Sequence, residues 1–226
     1  VSSAHPLATR SGMDVLEAGG SAIDAAIAVQ AMLGLVEPQS SGLAGGAFLL
    51  HYRAGDGRID AYLGRERAPS AADASLFLDA AGDPMPRSEA MLSGRATGVP
   101  GVLPALEAAH ADHGRLPWST LFASAADTAT SGFIVTPRLE QHIDGQFPQA
   151  SAPDVVMLFT GPDGKPLRSG ELMRNPAYAD TLREIAARGA AALQTGPLAD
   201  AILERINAPP GPSPMQAADL AGYGAE

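Results

Sequence analysis

Residues 34–69 read GLVEPQSSGLAGGAFLLHYRAGDGRIDAYLGRERAP, and their punctuation decides the fold. An apolar helix runs into Val36, and the Glu37-Pro38 step stops it, because proline pushes the residue before it out of helical geometry. A loop of small residues follows, Ser40-Ser41-Gly42-Leu43-Ala44-Gly45-Gly46. The run 47–52, AFLLHY, is short, apolar and rich in aromatic residues, which predicts a buried strand. Ala54-Gly55-Asp56-Gly57 supplies residues that tolerate positive φ, so a turn is expected there. Residues 58–63 return as a second strand and deliver Gly64-Arg65-Glu66-Arg67-Ala68-Pro69 at its end. A glycine-rich loop, a hairpin and then clustered charge is an arrangement able to hold an anion.

Working outward, residues 1–36 predict two tightly packed helices. His5-Pro6 opens the first, since a first-turn proline needs no N–H; Met13 and Leu16 are its expected apolar face, and Gly19-Gly20 ends it. Ser21 caps the second, with Asp24 three residues on as a weak capping box. That helix is apolar nearly all round and is expected between layers. A buried helix feeding a buried hairpin predicts a layered α/β structure.

Downstream, residues 70–91 read as connection. Gly98-Val99-Pro100-Gly101 turns into a helix over 102–111, and Leu116-Pro117-Trp118 sets up another over 119–129. Thr136-Pro137 caps a short helix. Residues 145–175 are irregular, with a hairpin over 159–167. Asn175-Pro176 opens a helix with Tyr178, Leu182 and Ile185 on one face, closed by Gly189. Another follows over 197–206, then a stiff linker over 208–212 and a last short helix over 215–220. No repeat is present, and residues 1–226 are expected to form a single domain.

Composition excludes several classes. The 226 residues carry a formal net charge of −10, with only 15 Lys and Arg, so nucleic acid and anionic membrane surfaces are poor partners. There is no cysteine, hence no disulfide, thiolate nucleophile or Cys-ligated metal. The longest apolar stretch, 22–36, falls short of the roughly 20 residues of a membrane span.

The fingerprint Val36-Glu37-Pro38, Ser40-Ser41-Gly42, Gly45-Gly46, Phe48, then Arg65-Glu66 and Ala68-Pro69, resembles that of the γ-glutamyltransferase family, which includes related cephalosporin acylases. His5-Pro6-Leu7-Ala8, Gly19-Gly20, Asp24-Ala25-Ala26, Gly98-Val99-Pro100-Gly101, Leu116-Pro117-Trp118 and Gly132-Phe133 extend it along the chain. The resemblance implies an N-terminal nucleophile hydrolase, an αββα sandwich incomplete in this chain. It also implies a self-processing zymogen that transfers γ-glutamyl groups, from glutathione and related amides, to water or amino acids without a cofactor. The family's nucleophile is a threonine freed as an N-terminus, its own amine acting as base. No threonine here stands in that context, so the chain is expected to be the N-terminal part of a large subunit, inactive alone. Its partner would be a small subunit from the same precursor. A periplasmic or secreted location is implied, and unpaired strand edges predict self-association.

The resemblance assigns Arg65 to the substrate's α-carboxylate, which a guanidinium fork holds by paired hydrogen bonds. Arg67 is the alternative, and from the residues alone an ordinary ion pair of Arg65 with Glu66 stands beside both. Many relatives carry an acid one or two places before this arginine; here those positions are Leu63 and Gly64. A cephalosporin or glutaryl acylase and a non-catalytic carboxylate-binding relative remain alternatives. The serine–glycine loop lacks the lysine of a phosphate cradle, and Ser40 and Ser41 lack a nucleophile context. Histidines 5, 51, 110, 113 and 142 show no metal-ligand spacing, so no metal is expected; Glu37 reads as structural.

Overall fold

The computed structural model describes residues 1–144, 148–209 and 211–226. Helix α1 (Pro6–Glu17) is capped by His5, whose Nδ1 accepts the Leu7 N–H at 3.1 Å. Helix α2 (Ala22–Val36) carries a complete capping box: Asp24 N–H donates to Ser21 Oγ at 3.1 Å, and Ser21 N–H to Asp24 Oδ2 at 2.8 Å. The expected apolar face of α1 is wrong. Met13 and Leu16 lie exposed, and Ala8, Ser11 and Gly12 are the buried residues. The helices approach too closely for large side chains: a Cβ on Gly12 would stand 2.7 Å from Val29 Cγ2.

Strands β1 (Ala47–Arg53) and β2 (Arg58–Gly64) form the antiparallel hairpin, with Ala47 opposite Gly64 and Arg53 opposite Arg58. Gly57 turns the chain at φ 71°, a conformation open to glycine at little cost. Helices α3 (Arg87–Leu92), α4 (Val102–His113) and α5 (Ala123–Ser131) follow. Residues 118–122 form a separate 3-10 turn rather than the start of α5. A second two-stranded sheet joins β3 (Phe133–Ile134) to β4 (Leu172–Met173), enclosing α6 (Pro137–Ile143) and α7 (Pro153–Leu158) in sequence. The segment 145–175 is thus less irregular than its composition suggests, although 145–147 fall outside the described residues. Helices α8 (Pro176–Arg188), α9 (Ala191–Gln194), α10 (Pro197–Asn207) and α11 (Ala217–Ala221) complete the order.

Helix α2 lies at the centre, packed against α1, α4 and α5, while α4 lies against the hairpin. Ile27, Met32, Leu35, Leu103, Phe122, Leu182 and Ile185 fill the core between them. Helices thus cover one face of the hairpin, and the fold is the layered α/β class expected. The expected burial of β1 fails on one of its faces. Phe48, Leu50, Tyr52 and Ile59 expose 71%, 74%, 64% and 66% of their surface. Side chains alternate across a strand, and only the Leu49 and Tyr62 face has helices over it. Among the described residues, no helix is long and apolar enough to cross a membrane.

Candidate functional site

The corner where β2 ends is built from glycine. Gly45 carbonyl accepts from the N–H groups of Gly101 and Val102, at 2.9 and 3.0 Å, which ties the glycine loop to the start of α4. A Cβ on Gly64 would stand 2.5 Å from Ala105 Cβ and 2.6 Å from Gly101 O; one on Gly46 would stand 2.8 Å from Gly64 O. One on Gly98 would stand 2.7 Å from Glu66 Cβ. Within the 40–46 loop the expected close packing holds at Gly46 alone: a Cβ on Gly45 would meet Glu66 Oε1 at 3.7 Å and one on Gly42 nothing within 4 Å. Ser40 and Ser41 donate their N–H groups to Glu37 O, both at 3.0 Å, and turn the chain out of α2.

This packing fixes the backbone of Arg65. Tyr223 Oη donates to Arg65 O at 2.6 Å, and Arg67 pairs with Val99 in a β-bridge, Val99 N–H donating to Arg67 O at 2.8 Å. The two candidate arginines then part company. Arg67 bonds the Glu226 carboxylate, lies 5.1 Å from the Tyr223 ring centre and keeps 49% of its side chain exposed. Arg65 has one ion-pair partner among the described residues, Glu66 Oε2 at 3.2 Å, and lies 5.9 Å from the exposed Phe48 ring. Its side chain remains 55% exposed. The ordinary ion pair with Glu66 is thus formed, and it engages only part of the fork.

Other singled-out residues have structural posts. Glu37, 1% exposed, accepts from Arg138 Nε at 2.8 Å and Gln39 Nε2 at 2.6 Å. Trp118 Nε1 donates to Ile185 O at 3.0 Å. A cavity of about 460 Å³ is walled by Pro38, Leu139, Ile143, Val155 and Phe159, none of which belongs to the Arg65 corner.

The histidines depart from their sequence reading. His110 Nε2 lies 2.9 Å from Leu116 O, but His113 meets His51 and Asp60 under the hairpin, the two imidazole centres 4.1 Å apart. Spacing along the chain could not reveal this. The available signal was register: a hairpin turning at 54–57 places His51 opposite Asp60.

Comparison with known proteins places this architecture. The profile described as Gamma-glutamyltranspeptidase matches residues 8–226. The glutathione hydrolase proenzyme of Bacillus subtilis (strain 168) is 36% identical over 215 residues, covering 91% of this chain and 35% of that protein. The gamma-glutamyltranspeptidase of Helicobacter pylori superposes with a TM-score of 0.90 at 30% identity, over all of this chain and 64% of that one. A cephalosporin acylase from Bacillus halodurans superposes at 0.81 with 31% identity, over 98% of this chain and 41% of the other. The fold is that of an N-terminal nucleophile hydrolase. The chain belongs to the gamma-glutamyltranspeptidase family. It spans about a third of the length of the curated relative from Bacillus subtilis.

Proposed function

We propose that residues 1–226 are the N-terminal part, a single domain, of the large subunit of an enzyme that cleaves γ-glutamyl amides such as glutathione and passes the acyl group to water or an amino acid. Arg65 is the substrate-binding residue in this reading. One observation carries it: a guanidinium, anchored at its backbone by Tyr223, with a single ion-pair partner and more than half its side chain open. A small subunit of the same precursor brings the threonine nucleophile, and a periplasmic or secreted setting fits the resemblance.

The glutaryl acylase reading has its own support. A γ-glutamyl group and a glutaryl group share the terminal carboxylate and differ in the α-ammonium. Arg65 serves the shared group, whereas the positions preceding it, Leu63 and Gly64, offer no acid for the ammonium. Turnover of a γ-glutamyl anilide against a glutaryl amide by the intact protein separates the two. Arg65→Ala should raise KM about 10- to 100-fold on the preferred substrate, the worth of a charged hydrogen-bonded pair, and Arg67→Ala much less. An unchanged KM in the Arg65 variant would remove this residue from the pocket.

A further inference from the structure

The underside of the hairpin, away from Arg65, holds a second group of side chains. His51 of β1 stands opposite Asp60 of β2, and His113, the last residue of α4, closes over both. One ligand atom from each lies within 4.8 Å of the others. His113 Nε2 and Asp60 Oδ2 are 3.2 Å apart, already near the ~3.4 Å that separates two ligands on tetrahedral zinc. None of His51 Nδ1, Asp60 Oδ2 and His113 Nε2, all buried, makes a hydrogen bond of good geometry; Asp60 Oδ2 meets His113 Nε2 and Arg53 Nε as ion pairs at 3.2 and 3.3 Å, and His51 Nδ1 is left without a partner beside them. A buried imidazole nitrogen in that position is costly unless something satisfies it.

We propose that His51, Asp60 and His113 form a binding site for one divalent transition-metal ion, zinc in the first instance. Two imidazoles and a carboxylate suit zinc and its neighbours rather than magnesium or calcium, which take oxygen. The fourth position is left to water. A neutral imidazole is the form that ligates. Arg53 is the neighbouring cation, its Nε 3.3 Å from Asp60 Oδ2. Asp56, 2.7 Å from the same guanidinium, retains it when metal takes Asp60. Tyr62 packs edge-on against His113, at 6.2 Å, and donates to Asp112 at 2.7 Å, which walls the inner side. The bound ion cross-links both strands to the end of α4, so its effect is to stiffen the hairpin that ends in Arg65. The site does not depend on what Arg65 binds.

The test is calorimetric titration of the intact, tag-free, EDTA-treated protein with zinc chloride. One equivalent is expected, with affinity falling about 100-fold or more in His51→Asn, His113→Asn and Asp60→Asn, and unchanged in His142→Asn outside the cluster. No binding, or equal binding by all four variants, overturns the site. Should those substitutions unfold the protein, X-ray absorption of the wild-type zinc complex decides: two imidazoles support the site, and one or none overturns it.

Discussion

Asp24 shows how one buried residue organises the core. Its Oδ2 accepts from the N–H groups of Ser21, Arg115 and Leu116, at 2.8, 2.9 and 3.1 Å, and so joins the start of α2 to the segment after α4. Burial pushes its pKa up, but these donors outweigh burial and hold the carboxyl below the usual range. Asp24→Ala leaves three N–H groups without an acceptor and should cost about 3 kcal/mol in denaturant unfolding. A depressed carboxylate stabilises above the unfolded pKa, near 3.9, and that stability is lost as pH falls through the folded value. Asp24→Asn should flatten this acid limb of melting temperature against pH. His5 behaves differently. Burial lowers its pKa, against the pull of Glu37, and its Nδ1 must stay unprotonated to cap α1. The folded state therefore excludes the proton, and stability is complete above about pH 6.5 and erodes below it. His5→Asn keeps a good cap and should remove the slope that sets in below about pH 6.5.

At the level of elements, the junction of β2 with α4 is decided by space. A Cβ on Gly101 would stand 2.2 Å from Tyr223 Oη and 2.5 Å from Gly64 O. Tyr223 also holds Arg65, so Gly101→Ala should destabilise by about 2 kcal/mol and weaken substrate binding together. Gly42, in the loop before β1, has nothing within 4 Å of an added Cβ, and Gly42→Ala should stay within about 0.5 kcal/mol of wild type. Paired melting curves check both; equal effects would mean that the corner relaxes freely. The loop 40–46 was legible as a packing segment because glycine clusters before an apolar strand have few other uses. Which glycine is tight was not legible, since that depends on where Tyr223 and α4 arrive.

For the whole molecule, the open hairpin face dominates. Phe48, Leu50, Tyr52 and Ile59 lie side by side on it, and contiguous exposed apolar surface drives association. The chain 1–226 by itself should self-associate in sedimentation velocity. Phe48→Lys with Leu50→Lys should return it toward monomer with little change in melting temperature, and an unaltered sedimentation profile would place the contact elsewhere. The sequence by itself determined what is local: the caps at His5, Ser21, Thr136 and Asn175, the turn at Gly57, and the loop that precedes the hairpin. Each is settled by a few neighbouring residues and their backbone preferences. The fold in space settled that α1 packs through Ala8, Ser11 and Gly12, that one face of β1 is open, that Arg65 pairs with Glu66 while Arg67 pairs with Glu226, and that His113 reaches His51 and Asp60. Burial and pairing belong to whatever segment is brought across a residue, and that partner lies tens or hundreds of positions away along the chain.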